Sequence, residues 1–412
     1  MAVVIKGSGS IEGTSGLEMG ANGATEIRGK VNVGLGSSVA GDSYTTGIST
    51  ASNFTPSSVP TSHRNLIING AMNVAQRGTS DTSDTQGRTT VDRWSVVWSG
   101  LEEELSRYQE SLSSSDTGPW EKGFRNAWKI QNGNQTGGAD ASGYINPQYT
   151  VEAQDLASSG WNPADPTSKL TLSFWVKSSV AQTFYSYLYV EDGGGDSYAF
   201  SYALRANTWT KVTKTIPGHA DLAVNNDNGG GMTIYLPLFL GTDRTTSGHT
   251  LNQWQSWSGS NRTPDQTTTW YTTNDATWHM TGIQLEVGSV ATPFEHRSYG
   301  DELLRCQRYY WRKIGTQWAH AAFGLMASTT QVRAFVQFPV TMRAAPTLSG
   351  SGMYVDSETT GTFDITAFTS TYLYNSGGQA RMTTDTASFG AGTAVNIGLE
   401  STTAYFAGDA EF

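Results

Sequence analysis

The stretch from Leu170 to Lys177 reads Leu-Thr-Leu-Ser-Phe-Trp-Val-Lys, with an apolar residue at every second position. Because successive side chains of a β-strand point to opposite faces of a sheet, the even-numbered positions share one face. That face carries Leu170, Leu172, Phe174 and Val176. Alternation of this kind predicts a strand that buries one face against a core.

Further strand-like segments follow this stretch. Residues 184–190 (Phe-Tyr-Ser-Tyr-Leu-Tyr-Val) and 198–204 (Tyr-Ala-Phe-Ser-Tyr-Ala-Leu) are separated by a connection that begins Glu-Asp-Gly-Gly-Gly. This pattern predicts a hairpin with a flexible tip. Residues 232–240 predict another strand, and Pro237 within it indicates an edge position or a bulge because proline donates no hydrogen bond.

The composition favours an all-β chain. Only 15% of the 412 residues are charged, and the chain contains 46 Gly, 13 Trp, 18 Tyr and 15 Phe. Strands favour aromatic residues and threonine, and their turns need glycine, whereas long helices need Ala, Leu, Glu and Lys. The length is sufficient for two or three domains with separate cores.

Charge and cysteine usage exclude several classes of protein. The net charge is −10 and the sequence has no basic cluster. It therefore lacks the positive charge expected of a protein that binds nucleic acid or an anionic membrane. The single cysteine, Cys306, forms no intramolecular disulfide, and its apolar neighbours predict a buried thiol. No stretch is long and apolar enough to insert into a membrane, and residues 1–7 are too short for a signal peptide.

Composition shifts divide the chain into four parts. Residues 1–50 form short Gly-separated bursts that cannot bury a core, so we expect them to be ordered by copies of the chain or by a docking partner. Residues 51–63 carry two prolines among Ser and Thr and predict a linker. Residues 64–297 predict the main sandwich. Residues 298–412, which open on a predicted helical turn before an aromatic strand, predict a smaller C-terminal β-sandwich domain.

Several strings resemble the jelly-roll module of bacteriophage tail fibres and related virion appendages, which is similar to carbohydrate-binding domains of glycoside hydrolases. The resemblance takes in residues 65–70, 76–78, 91–94, 170–177, 282–288 and 291–295. In it, residues 65–70 and 282–288 correspond to the opening and closing strands of one jelly-roll β-sandwich. Residues 332–339, 342–347 and 406–412 resemble C-terminal domains of phage tail fibres.

This resemblance implies a non-catalytic phage tail fibre located in the virion. Residues 1–50 would attach to another virion structural protein, the chain would assemble as a homotrimer, and the jelly roll would bind host cell-surface glycan. Two alternatives stay open: a capsid head fibre or decoration protein, and a tailspike that degrades polysaccharide. The last would need two carboxylates placed across a sugar bond, and no carboxylate pair stands out in the sequence.

The richest candidate for a glycan platform lies between residues 254 and 271. Sugars present C–H faces that stack on aromatic rings and hydroxyl groups that pair with amides. Because Gly, Ser and Thr abound here, we expect an exposed loop; the alternative is that these rings fill a core, as we expect for Trp94 and Trp175. The candidate residues are Trp254, Trp257, Asn261, Trp270 and Tyr271.

No cofactor is assigned from the sequence. Sandwiches of the resembling kind often hold a structural Ca²⁺ where the first and last strands meet, and Asn69 and Glu286 lie in those segments. An acidic residue directly after Asn69-Gly70 is missing, so the metal stays unassigned. The strings around Arg77, Arg93 and Glu286 are expected to serve the fold, through buried arginines paired with carboxylates.

Overall fold

The computed structural model describes residues 63–412, except residues 136, 358–360, 370–371 and 388. The predicted attachment segment (1–50) and all of the predicted linker but His63 lie outside the described residues. The division between a main domain at 64–297 and a C-terminal domain at 298–412 stays a prediction.

Thirteen strands make up the first part of the described chain. They are β1 (Ser80–Asp81), β2 (Ser95–Ser99), β3 (Ser106–Ser111), β4 (Asn126–Gln131), β5 (Tyr144–Glu152), β6 (Lys169–Ser178), β7 (Gln182–Val190), β8 (Asp196–Leu204), β9 (Thr210–Pro217), β10 (Gly230–Tyr235), β11 (Phe239–Leu240), β12 (Trp254–Ser256) and β13 (Thr277–Val287).

Three short α-helices lie between the strands in the part of the chain that the structure describes. They are α1 (Ala153–Ala157), α2 (Thr269–Thr272) and α3 (Tyr299–Gln307), with single 3₁₀ turns at Trp120–Lys122 and Thr242–Arg244. The α3 helix precedes an aromatic strand, which confirms the predicted helical turn. In the described part of the chain, no helix has the length and apolar character needed to cross a membrane.

The thirteen strands form two antiparallel sheets that face each other as a β-sandwich. The first sheet has the order β1-β3-β4-β13-β6-β9, and the second has the order β11-β5-β10-β7-β8-β12 with β2 on β5. One core cluster contains residues of both sheets, for example Phe174 and Leu285 from the first and Phe184 and Ile234 from the second. The all-β prediction is therefore confirmed.

Strand β6 shows the predicted alternation. Leu170, Leu172, Phe174 and Val176 are buried in the core between the sheets. Trp94 is also buried there, as expected. The expectation for Trp175 is wrong: it occupies an odd-numbered position of β6, is only partly buried, and packs on the outer side of the first sheet beside Phe124.

The predicted opening strand at residues 65–70 is not a strand. This segment is irregular and turns at its end, although it lies against the second half of β13. The backbone N–H of Leu66 donates to the carbonyl oxygen of Leu285 at 2.9 Å, and Ile283 N–H donates to the carbonyl oxygen of Gly70 at 3.0 Å. Asn65 prevents regular pairing because its side chain takes the place of backbone partners: Oδ1 accepts from Ile67 and Leu285 N–H.

Among the described residues, ten further strands follow α3. They are β14 (Tyr310–Ile314), β15 (Ala319–Ser328), β16 (Gln331–Gln337), β17 (Thr347–Ser351), β18 (Met353–Asp356), β19 (Thr362–Thr369), β20 (Leu373–Tyr374), β21 (Gly377–Thr384), β22 (Ala394–Leu399) and β23 (Tyr405–Asp409).

These strands form a closed barrel rather than the predicted small sandwich. The order β16-β15-β22-β18-β19-β21 returns to β16 through the pairing of β16 with β21, which closes a ring of six strands. Strands β14, β23 and β17 make a separate three-stranded sheet. Closure leaves the six strands without an unpaired edge, and their inward side chains fill a second core cluster.

Buried charges join the sandwich to the last residues of the chain. The Glu411 side chain is 4% exposed and forms ion pairs with Arg93 and, at 3.2 Å, with Arg88. The Arg93 guanidinium is 1% exposed, donates to the Thr150 carbonyl oxygen at 2.7 Å, and lies 3.4 Å from the ring centroid of Tyr309. The expectation that Arg93 serves the fold is confirmed.

Candidate functional site

The outward face of the second sheet is rich in tyrosine. In β7, Phe184, Leu188 and Val190 point into the core, so the intervening odd-numbered positions point outward. Those positions carry Tyr185, Tyr187 and Tyr189. By the same parity, β5 presents Tyr144 and β10 presents Tyr235 on this outward side. Five tyrosines from three neighbouring strands thus share one face.

The rings are arranged in contact with each other and with residues of the 241–265 segment. Tyr187 and Tyr235 stack with centroids 4.7 Å apart and an interplanar angle of 19°. Tyr189 lies 5.4 Å from Trp257, and the guanidinium carbon of Arg262 lies 5.6 Å from the Trp257 ring. We call Tyr144, Tyr187, Tyr189, Tyr235 and Trp257, together with Arg244 and Arg262, the aromatic face.

Two arginines add positive charge to this face. The guanidinium carbon of Arg244 lies 4.6 Å from the Tyr144 ring centroid, and that of Arg262 lies 5.8 Å from the same ring. Guanidinium groups placed over aromatic rings are attracted by the ring quadrupole. Arg244 and Arg262 are also linked through the backbone, since Arg262 N–H donates to the Arg244 carbonyl oxygen at 2.9 Å.

Burial keeps two phenol groups of the face, Tyr187 and Tyr235, protonated at neutral pH. Burial raises the pKa of Tyr187, with the nearby Arg262 opposing that shift. Burial, assisted by the negative charge of Glu191, raises the pKa of Tyr235 to about 12. A neutral phenol both donates and accepts hydrogen bonds, which suits a ligand with hydroxyl groups.

The 241–265 segment is fixed across the sheet by hydrogen bonds. Trp257 N–H donates to the Gly195 carbonyl oxygen at 3.0 Å, and Arg244 Nε donates to the Ser142 carbonyl oxygen at 2.7 Å. Inside the segment, the Gln255 amide donates to His249 Nε2 at 2.7 Å, so Nδ1 of that imidazole carries the proton and donates to Asn261 Oδ1 at 2.8 Å. These bonds hold the Trp257 ring in place before any ligand binds.

Polar groups lie on the same side of the sheet. Thr233 Oγ1 donates to the Glu191 carboxylate at 2.7 Å. The Asn146 side chain, two residues from Tyr144 on the outward side of β5, is buried, and its Oδ1 has no hydrogen-bond partner in the described part of the chain. An orphaned acceptor of this kind is costly unless a water or ligand donates to it.

Among the residues predicted to form the glycan platform, Trp257 is the one aromatic ring that is exposed. It is 39% exposed, whereas Trp254 is 8% exposed and belongs to the core between the sheets. Trp254 pairs with Tyr198 in the sheet, packs 5.4 Å from that ring, and donates its indole N–H to the Pro217 carbonyl oxygen at 2.6 Å. The expectation that Trp254 lies in an exposed loop is wrong, because β12 turns it inward.

The expected exposure of Trp270 and Tyr271 is also wrong. Both lie in α2 and are buried, with Tyr271 stacked on Phe239 at 4.1 Å. Their polar atoms are used inside the protein: Trp270 Nε1 donates to the Thr277 carbonyl oxygen and Tyr271 Oη donates to the Gly100 carbonyl oxygen. Asn261 is partly exposed and supports the segment that carries Trp257.

Most of the aromatic face was missed from the sequence, although a signal for it exists. From the sequence, Tyr187, Tyr189 and Tyr235 were assigned only to strands. In the strand predicted at 184–190, the tyrosines occupy every second position opposite Phe184, Leu188 and Val190. This alternation places them on the outward face, where Tyr189 is partly exposed beside Trp257, while Tyr187 is 1% exposed and stacks on Tyr235.

The residues considered for Ca²⁺ are occupied by protein partners. Glu286 accepts hydrogen bonds from Thr292 N–H and from its hydroxyl group, and Asn69 Oδ1 accepts from Val74 N–H. A different group, Asp196, His219 and Asp221, places one potential ligand atom from each side chain within 4.8 Å of the others. Exposed carboxylates often gather in this way without an ion, so we assign no metal there.

No protein-family model matches the chain, and no curated protein matches it. Among solved structures, a CBM4 structure matches with a TM-score of 0.28 and 11% identity, covering 53% of this chain and 98% of that chain. The N-terminal cellulose-binding domain of Cellulomonas fimi β-1,4-glucanase C matches with a TM-score of 0.25 and 12% identity, covering 53% and 99%. TmCBM61 in complex with β-1,4-galactotriose gives 0.25 and 12%, covering 54% and 97%.

The chain thus has a distant structural similarity to carbohydrate-binding modules. At TM-scores of 0.25 to 0.28, the similarity assigns neither a ligand nor a binding residue to this protein.

Proposed function

We propose that this protein binds glycan, without cleaving it, through the aromatic face of the second sheet. The observation that carries the proposal is the arrangement of Tyr189, Trp257 and Arg262. The two rings lie 5.4 Å apart on the outward side of the sheet, and the guanidinium carbon lies 5.6 Å from the indole. Trp257 is fixed by its backbone and still 39% exposed.

Sugar rings fit this chemistry. Their C–H faces stack on aromatic rings, which bury large apolar area in a fixed geometry. Their hydroxyl groups pair with polar side chains, which Arg262, Arg244 and the phenol of Tyr235 supply. A few polar groups among aromatic rings are the usual makeup of a specific small-molecule site.

Binding without cleavage is favoured by the state of the carboxylates on this side of the sheet. Glu152, on the outward side of β5, forms an ion pair with Arg308 at 2.5 Å and accepts a hydrogen bond from Tyr309 Oη. Glu191 accepts from Thr233. Glycoside hydrolysis needs one carboxyl group that stays protonated and a second that faces it across the sugar bond. Because the carboxylates of Glu152 and Glu191 already pair with protein groups, this arrangement favours a ligand that is bound and released without cleavage.

We further propose that the sandwich is a jelly roll and that the chain is a phage tail fibre in the virion. Its assembly would be a homotrimer docked to another virion protein through residues 1–50. Support comes from the resemblance of residues 65–70, 91–94 and 406–412 to phage appendage proteins. Many weak glycan sites on one particle would then bind a host surface with high avidity. A capsid head fibre is the alternative. Light scattering tests the assembly: a mass near 44.3 kDa, that of one chain, would refute the trimer.

The glycan proposal is tested by screening the full chain against a printed array of bacterial and plant oligosaccharides, followed by titration calorimetry with the best binder. We expect Trp257→Ala and Tyr189→Ala to weaken that binding at least tenfold, because each removes a stacking surface. Tenfold corresponds to about 1.4 kcal/mol. Trp318→Ala is the matched control, since Trp318 is 57% exposed but lies before β15 of the barrel.

The control variant should bind like the unmodified protein. Equal loss in all three variants would indicate a general folding defect, which circular dichroism would reveal. Unchanged affinity in the Trp257→Ala and Tyr189→Ala variants, or a screen without any binder, would refute the proposal.

A further inference from the structure

The outer side of the first sheet, on the opposite side of the sandwich from the aromatic face, contains a cleft of about 450 Å³. Binding sites for small ligands commonly have volumes of about 300–1,000 Å³. Trp175 of β6 lies in this cleft together with residues of the loops at 118–124 and 291–296. Its chemistry is set by Lys122, Phe124, Trp175, Lys211, Phe294 and His296.

Three rings form one wall of the cleft. Phe124 and Phe294 meet edge to face with centroids 4.9 Å apart, and His296 lies 5.1 Å from Phe124 and 4.9 Å from Phe294. His296 Nε2 lies 2.9 Å from the Lys122 carbonyl oxygen. Because a carbonyl oxygen only accepts, Nε2 carries the proton and Nδ1 is left as an acceptor for a ligand hydroxyl group.

One side of the Trp175 indole packs against the loop at Gly118. A Cβ at Gly118 would lie 2.7 Å from Trp175 Cζ3, so glycine is needed for the loop to pass this ring. Gly118 also has a φ of +99°, which favours glycine. The ring is therefore held rigidly, and it still lines the open cleft. A rigid, partly covered indole is suited to stacking with a sugar ring.

The charge of the cleft differs from that of the whole protein. The chain has a net charge of −10, yet none of the eleven residues that line the cleft is acidic. Lys122 and Lys211 are exposed, and within the described residues neither ammonium group forms an ion pair. Neighbouring lysines behave differently: Lys177 pairs with Asp116 at 3.0 Å and Lys129 with Glu110 at 3.4 Å.

We infer that this cleft is a second ligand site, specific for a pyranose that carries a carboxylate, such as a uronic acid. The sugar ring stacks on Trp175 and on the rings of Phe124 and Phe294, and its carboxylate pairs with Lys122 and Lys211. The inference goes beyond the proposed function, because it concerns the opposite sheet and a charged sugar. It stands whether or not the aromatic face binds glycan.

The test is titration calorimetry of the full chain with trigalacturonate, in EDTA to remove divalent cations, and with the fully methyl-esterified trisaccharide. The two sugars differ in the charge of their carboxyl groups and in the added ester methyl groups. We expect the ester to bind at least tenfold more weakly than the acid, and the affinity for the acid to fall as salt is added.

Variants locate the site. Lys122→Gln combined with Lys211→Gln should weaken trigalacturonate binding at least tenfold. Lys169→Gln, which removes a charge from the same face of β6 outside the cleft, should change it less than twofold. Trp175→Ala should also abolish binding, while Trp318→Ala, whose exposed ring lies outside both sites, should leave it unchanged. The two lysines are exposed, so their replacement keeps the test valid if Trp175→Ala fails to fold.

Three results would overturn the inference. The first is equal affinity for the acid and its ester, and the second is full affinity in the double lysine variant. The third is the absence of binding at millimolar trigalacturonate. If Trp257→Ala removed the binding and the lysine variant retained it, the acidic sugar would belong to the aromatic face, and the second site would not exist.

Discussion

Replacing Glu411 by glutamine tests whether the buried charges near the end of the chain stabilise the fold. The substitution keeps the shape of the side chain and removes its charge. In the native protein this carboxylate, 4% exposed, faces Arg93, Arg88 at 3.2 Å and Arg77 at 3.9 Å. Without it, the fully buried guanidinium of Arg93 would lose the carboxylate with which it pairs.

The expected cost is large because burial removes the alternative of solvation by water. Breaking a buried ion pair by removing one partner costs about 3–5 kcal/mol. The Arg77–Asp409 pair provides a matched comparison on the same arginine cluster, at 2.9 Å but with Asp409 44% exposed. Exposed pairs contribute roughly 0–1 kcal/mol, so Asp409→Asn should cost less than about 1 kcal/mol.

Urea unfolding of the full chain at neutral pH, followed by tryptophan fluorescence, measures both variants. We expect the Glu411→Gln transition to lie at clearly lower urea than that of Asp409→Asn, with the slope unchanged. The effect of Glu411→Gln should also be smaller in a background in which Arg93 is replaced by methionine, because the stranded charge is then gone. Equal destabilisation by the two single variants would refute the assignment of Glu411 as a buried counter-charge.

Two further predictions concern pH and the interior. Burial raises the pKa of Asp92 to about 6 from an ordinary value of 3.8, so the native state takes up this proton before the unfolded state does. The contribution of Asp92 to the free energy of unfolding should therefore rise as pH falls from about 6 to 4, by on the order of 3 kcal/mol. The difference in that free energy between the unmodified protein and Asp92→Asn should change by this amount in urea titrations, and a difference that does not depend on pH would contradict the prediction. Trp254→Ala should cost about 3–5 kcal/mol of stability in the same assay, because this ring is 8% exposed and packs on Tyr198. A fully stable Trp254→Ala variant that lost only glycan binding would contradict the burial of this ring.

Local alternation predicted the sandwich strands well. The strand at 170–177 and the hairpin at 184–204 are present as β6, β7 and β8. Pro237 falls at the interruption between β10 and β11, where Leu236 and Leu238 N–H donate to carbonyl oxygens of β5. These features follow from two-residue periodicity and from the missing N–H of proline, which are properties of short segments.

The pairing of strands that are distant in the sequence could not be predicted from residue patterns. The barrel closes because β16, which follows β15 after a short turn, also pairs with β21 about fifty residues later. An open sandwich sheet and a closed barrel give the same alternation in each strand, so the predicted sandwich and the observed barrel were not separable by periodicity. Likewise, nothing in residues 65–70 signals that Asn65 replaces backbone partners in the contact with β13.

The errors about tryptophan have a different origin, because the parity needed to avoid them was present. Trp175 stands among Thr171, Ser173 and Lys177, the polar side of β6, and was nevertheless assigned to the core because of its residue type. Trp254 and Trp257 are three positions apart, so in an extended segment they face opposite ways and cannot both belong to one exposed platform. The structure places Trp254 in the core and Trp257 outside it.

Position in the strand therefore carries more information about an aromatic residue of this chain than its apolar character does. Applied throughout, the rule places Phe184 and Leu188 between the sheets and Tyr187 and Tyr189 on the outward face, which separates the two sides of one strand. It also places Trp175 outside on the other sheet, where the open cleft lies. An outward ring must cover its apolar area with something other than the core, and in this sandwich both groups of outward rings stand beside cationic side chains. Rings beside cations on both outer surfaces are the shared physical basis of the two ligand sites proposed for this protein.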